Sequence, residues 1–89
     1  MHSNEFVIPV RQGHVLLRFE LYGPVPNSYN SIVHGKEKYV LVGAVYLEAF
    51  DQWVEIGVME ISPFKTDLEL QKIVVQLYEE YAELQRARP

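Results

Sequence analysis

Residues 37–61 read EKYVLVGAVYLEAFDQWVEIGVMEI, two apolar runs separated by Ala49-Phe50-Asp51-Gln52. Their β-branched and aromatic content, bounded by a short polar break, predicts strands over about 37–48 and 53–61 joined in a hairpin. Strict alternation would place Tyr39, Leu41, Gly43, Val45, Leu47, Val54, Ile56 and Val58 on one face. The other face would carry Val40, Val42, Ala44, Tyr46, Trp53, Gly57, Met59 and Ile61. Strands that are apolar on both sides are usually covered on both sides, so this hairpin is expected at the centre of the fold. Gly43, Ala44 and Gly57 form a low spot where a helix or another backbone could approach closely.

Beyond this hairpin, Thr66-Asp67-Leu68-Glu69 has the form of a capping box. Leu70, Ile73, Val74, Leu77, Tyr78, Tyr81 and Leu84 follow at helical spacing, which predicts a helix over about 66–86. Arg86 and Arg88 stand where the negative end of the helix dipole favours cations.

Before the hairpin, residues 23–36 are rich in Gly, Pro, Asn and Ser and read as a long loop. Upstream of that loop, Phe6, Ile8 and Val10 alternate with Val7 and Pro9, and Val15, Leu17, Phe19 and Leu21 alternate with Leu16, Arg18, Glu20 and Tyr22. Strands over about 5–10 and 14–22 follow. A two-residue Gln12-Gly13 turn would set Val10 opposite Val15, Ile8 opposite Leu17 and Phe6 opposite Phe19. Pro9 has no amide hydrogen to give a ladder, which assigns the first strand to a sheet edge or a bulge.

The expected fold is therefore α+β: a four-stranded, mostly antiparallel sheet of two hairpins, either a meander or strongly curled, followed by one C-terminal helix packed on it. With 89 residues, 48% of them apolar and 22% charged, the chain reads as a single domain over 1–89. So small a core is marginal without a supplement. Cysteine is absent, which removes disulfides, thiolate zinc sites and cysteine nucleophiles and leaves oligomerisation as the expected supplement. No run reaches the length of a membrane span, and Met1-His2-Ser3-Asn4-Glu5 lacks a signal-peptide pattern, so a cytoplasmic location is expected.

Twelve acids against eight bases give a net charge of −4, which argues against non-specific binding to nucleic acid. His34, Lys36 and Lys38, with Tyr29 and Tyr39 nearby, make too small a basic spot to reverse that. The three histidines, His2, His14 and His34, lack the i, i+4 spacing of a helical metal site, and no metal or other cofactor is expected. Ser28 and Ser31 precede His34 without the strand–turn–helix context of a nucleophile elbow. Gly13, Gly23, Gly35, Gly43 and Gly57 are scattered and form no phosphate-binding loop. Glu79, Glu80 and Glu83 read as a solvated helix face, with an acidic contact surface as the second reading.

What remains is the aromatic set and the second apolar sheet face. Tyr46, Trp53 and Met59 on the central hairpin, with Tyr29, Asn30 and His34 in the long loop, are the candidate partner- or ligand-binding residues. One helix covers one face of a sheet. The expected function is accordingly a small non-enzymatic interaction module, accessory, regulatory or inhibitory in kind, which self-associates as a homodimer through the face bearing Val42 and Met59. The alternative is a small-molecule-binding protein or small enzyme with a pocket between sheet and helix under the 23–36 loop, lined by Tyr39, Tyr46, Trp53 and Tyr78 with His34 as the reactive group.

Overall fold

A computed structural model describes residues 2–23, 38–61 and 65–87. Strands β1 (His2–Val10), β2 (Gly13–Tyr22), β3 (Tyr39–Leu47) and β4 (Gln52–Ile61) form one antiparallel sheet in the order β1-β2-β3-β4. Among the described residues one α-helix, α1 (Asp67–Ala87), packs on it. The sheet is a meander, as one form of the expectation had it, and is not closed. β1 is an edge strand, where the missing amide hydrogen of Pro9 costs no ladder bond.

The first hairpin turns one residue earlier than a Gln12-Gly13 turn would require. Val10 is paired with Gly13, Ile8 with Val15, Phe6 with Leu17 and Asn4 with Phe19. Arg11 and Gln12 make the turn, and Gly13 takes φ 117°, a conformation that L side chains rarely adopt. The register differs from expectation by two residues. Since side chains alternate with period two, Phe6, Ile8, Leu17 and Phe19 still share one face. The longer pairing also carries β1 back to His2, three residues before the expected start.

In the second hairpin, a short 3₁₀ turn (Glu48–Phe50) leads into Asp51, which is left-handed at φ 49°. Between Gly43 and Ala44 the register against β4 slips: Ala44 pairs with Glu55, whereas Gly43 pairs with Gly57. Ile56 is therefore the extra residue of a β-bulge. The bulge corrects the faces read from alternation. Val54 and Ile56 keep their assignment, but Gly57, Met59 and Ile61 join Leu41, Gly43 and Val45 on the helix side, and Val58 moves to the opposite side.

The core lies between sheet and helix, with Leu17, Phe19, Leu41, Val45, Ile61, Leu70 and Val74 buried. Gly43 and Gly57, cross-strand partners, lie beneath Leu77. A Cβ on Gly43 would come 3.2 Å from Leu77 Cδ1, and one on Gly57 only 2.7 Å from Leu77 Cδ2. Two members of the expected low spot thus admit the helix; Ala44, buried on the other face, does not belong to it. The helical stripe holds through Tyr81. Leu84, expected to continue it, is 66% exposed, because residues 83–87 have run off the sheet and are all exposed.

At the start of α1 the capping box forms as the sequence predicts. Glu69 N–H donates to Thr66 Oγ1 at 3.2 Å, and the Thr66 N–H and hydroxyl donate to Glu69 Oε1 at 3.3 and 3.1 Å. Two ties bind β1 to this first turn: His2 Nε2 lies 2.9 Å from Asp67 Oδ1, and Gln71 Nε2 donates to Asn4 Oδ1 at 2.9 Å. Thr66→Ala is expected to cost about 1 kcal/mol in urea unfolding, the usual loss of a cap; no loss would mean the helix start is held by the β1 ties alone.

The Thr66 N–H and hydroxyl bonds also hold the Glu69 carboxyl below its ordinary pKa. A carboxyl depressed by folding adds stability above its unfolded pKa and loses it as pH falls through the folded one. Glu69→Gln, which can still accept these bonds but carries no charge, is expected to be less stable than the wild type near neutrality and to converge with it in acid, where Glu69 is itself protonated. Thermal unfolding against pH checks this, and parallel acid limbs would refute it.

Candidate functional site

The register defines a second face, turned away from α1, as four rows of side chains that run across the strands. One row is Ser3, Glu20, Val42 and Val58; the next is Glu5, Arg18, Ala44 and Glu55. Val7 and Leu16 continue outward on β1 and β2, with the Tyr46–Trp53 pair on β3 and β4. In the other direction come Tyr22, Val40 and Glu60. Val7 is 59% and Val58 55% exposed, while Leu16, Val40, Val42, Tyr46 and Trp53 are half-buried. No described element covers this face.

Arg18 stands at its centre. The guanidinium carbon lies 4.3 Å from the centroid of the Trp53 ring, a cation–π contact, and Nη2 lies 3.3 Å from Glu20 Oε1. Its Nε is buried and has no hydrogen-bond acceptor among the described residues. The other Glu20 oxygen accepts a 2.6 Å bond from the Tyr22 hydroxyl, and that bond raises the Tyr22 pKa above its usual value. The Tyr46 ring also packs on Trp53, at 5.4 Å between centroids, and its hydroxyl donates to Asp51, which raises the Tyr46 pKa likewise. Both tyrosines are thus fixed at their polar ends. The face presents apolar contact area with one oriented cation and one oriented anion side by side.

Of the candidate residues, Tyr46 and Trp53 come together here. Met59 does not: the bulge turns it to the helix side, so Val42 and Met59 do not share a face. Tyr29, Asn30 and His34 lie outside the described residues. The four aromatics expected around a pocket are divided, with Tyr39 and Tyr78 packed against the core on the helix side and Tyr46 and Trp53 on the other. A cleft of about 710 Å³ does exist elsewhere, between the Val10–Gln12 turn and Tyr78, Glu79, Ala82, Glu83 and Arg86. It is open to solvent and, of the four aromatics expected around a pocket, includes Tyr78 but not Tyr39, Tyr46 or Trp53.

Among the described residues no three His, Asp or Glu side chains converge as a metal site requires. His2 is engaged with Asp67, and His14 stands beside Pro9 at the end of the open face. Arg18 is the residue that sequence reasoning passes over. Its signal is a cation between Leu16 and Glu20 on a strand of strongly apolar character, but its contact with Trp53 depends on the pairing of β2 with β3 across the 23–36 segment. No described helix is long and apolar enough to cross a membrane. Compared with protein-family models, curated proteins and solved structures, the chain matches none.

Proposed function

We propose that this chain is a small non-enzymatic interaction module, cytosolic in location, that acts through the open face of its sheet. The observation that carries the reading is the set Val7, Leu16, Val42, Tyr46, Trp53 and Val58 around Arg18, which no described element covers, while the α-helix among the described residues packs on the opposite face. Rigid aromatic and arginine side chains set in apolar surroundings are the residues that most often dominate protein contacts. Trp53 and Arg18 also hold each other in place, which lowers the entropy lost on binding.

Affinity capture from native extract tests this, with the wild type compared against Val42→Lys and, as a control on the helix, Lys72→Ala. A lysine at position 42 faces Glu20 across the strands and is tolerated by the free fold, yet it puts a charge in the middle of the contact. Binding lost with Val42→Lys and retained with Lys72→Ala is the expected result. Equal capture by all three, with circular dichroism unchanged, would refute the reading.

A further inference from the structure

We infer that the open face takes a second copy of this chain, seated about a two-fold axis that crosses the strands between the Arg18 row and the Glu20 row. This rests on the reading of the face as an interaction surface and adds the identity and the register of the partner.

Two sheets that pack face to face keep their strands within about 30° of alignment and lie about 10 Å apart. An isologous contact requires that if one residue touches a second, the second touches the first in return. Three placements of the axis can be compared. An axis parallel to the strands lays β1 over β4 of the other copy and sets Glu5 against Glu55, two like charges. An axis crossing the strands through the Arg18 row stacks Arg18 on itself. An axis crossing between the two rows sets Glu5, Arg18, Ala44 and Glu55 over Ser3, Glu20, Val42 and Val58 of the second copy.

In that third placement each Arg18 meets a Glu20 and each Glu20 an Arg18. Neither Glu5 nor Glu55 faces an acid. The pairs on β2 and β3 lie nearest the middle of the face, where the twist between sheets displaces them least. The two intrachain Arg18–Glu20 pairs join into one four-membered network, in which each partly exposed Arg18 guanidinium gains a second carboxylate. A different partner would have to offer an anion and a cation at this spacing within an apolar surround; a copy does so by construction.

The area is sufficient. Strands of nine or ten residues at about 3.3 Å per residue, four abreast at about 4.8 Å, give a footprint of about 30 Å by about 19 Å. The corrugated side-chain surface exceeds that projection and is on the scale of the about 800 Å² per partner typical of a specific interface.

Sedimentation across micromolar concentrations tests the proposal, with a species of twice 10.4 kDa expected for the wild type. Arg18→Glu and Glu20→Arg are each expected to weaken the dimer by about tenfold or more, and the double exchange R18E/E20R to restore it. The double exchange keeps the intrachain pair, so it remains informative if a single variant does not fold. Native mass spectrometry of a mixture adds a stricter measure. Wild type and double variant each dimerise, but in the mixed dimer every charge at positions 18 and 20 meets its like on the other copy, so that species is depleted well below the statistical half. A statistical mixture, a double variant no better than the singles, or a dimer indifferent to both charges overturns the proposed register. A monomer at every concentration overturns the second copy altogether; if that monomer still captures proteins in a Val42-dependent way, the interaction reading stands without it.

Discussion

Phe19→Ala is expected to cost about 3–5 kcal/mol, the range for removal of a fully buried phenylalanine. A chain of 89 residues holds roughly 5–10 kcal/mol in all, so most of its stability would go. Phe19 is fully buried on the inner strand β2, with Asn4 and Gly43 as its cross-strand neighbours. Gly43 has no side chain with which to fill the void. On the outer side the His2 ring, 5.6 Å from that of Phe19, is held by Asp67 and is not free to collapse inward. Urea unfolding below the concentration of self-association measures the cost. Val7→Ala, on an exposed side chain of the same sheet, is the matched control and should stay within about 0.5 kcal/mol. A loss under about 1.5 kcal/mol for Phe19→Ala, less than deletion of a buried aromatic normally costs, would show that the helix settles into the gap.

The second large effect is expected from Gly57→Val. Valine suits a strand better than glycine, so propensity alone predicts a gain. Space predicts the reverse. A Cβ at position 57 already stands 2.7 Å from Leu77 Cδ2 and 3.0 Å from Leu77 Cδ1, and the branched side chain pushes further into the helix. The backbone at Gly57 is not in the left-handed region, so the test isolates space from strain. Overpacking of this kind costs about 1–3 kcal/mol. If Leu77 is the obstacle, Leu77→Ala in the same chain should return part of that loss, a coupling of at least about 0.5 kcal/mol between residues in contact. Strict additivity would mean that Leu77 rotates away unaided.

The parts of this fold that are legible in the sequence are those set by local periodicity. Thr66, Glu69 and the stripe from Leu70 to Tyr81 state the helix within four residues of each contact that forms it. The alternation of Phe6 through Phe19 states one face of the first hairpin, and a two-residue difference in register leaves that face unchanged. The bulge at Ile56 is another matter. One unpaired residue inverts every assignment after it, so Met59 and Val58 exchange sides although the pattern of residues 53–61 gives no sign of the slip. What demands it is tertiary: Gly57 must lie beside Gly43 for Leu77 to seat. The candidate surface is split in the same way. Tyr46 and Trp53 neighbour each other across a short turn and are found together by counting, whereas Arg18 reaches Trp53 only through the pairing of two hairpins.

That bulge also bears on how the chain avoids uncontrolled growth. An open sheet ends in two strands with unused ladder groups, and such borders can recruit further strands one after another into a fibre. Here each border is interrupted. Pro9 removes an amide hydrogen from β1, and Ile56 breaks the even spacing of donors and acceptors along β4. An arriving strand cannot pair along the full length of either border, so this sheet is partly guarded against addition within its own plane, which favours association as a closed pair stacked across it.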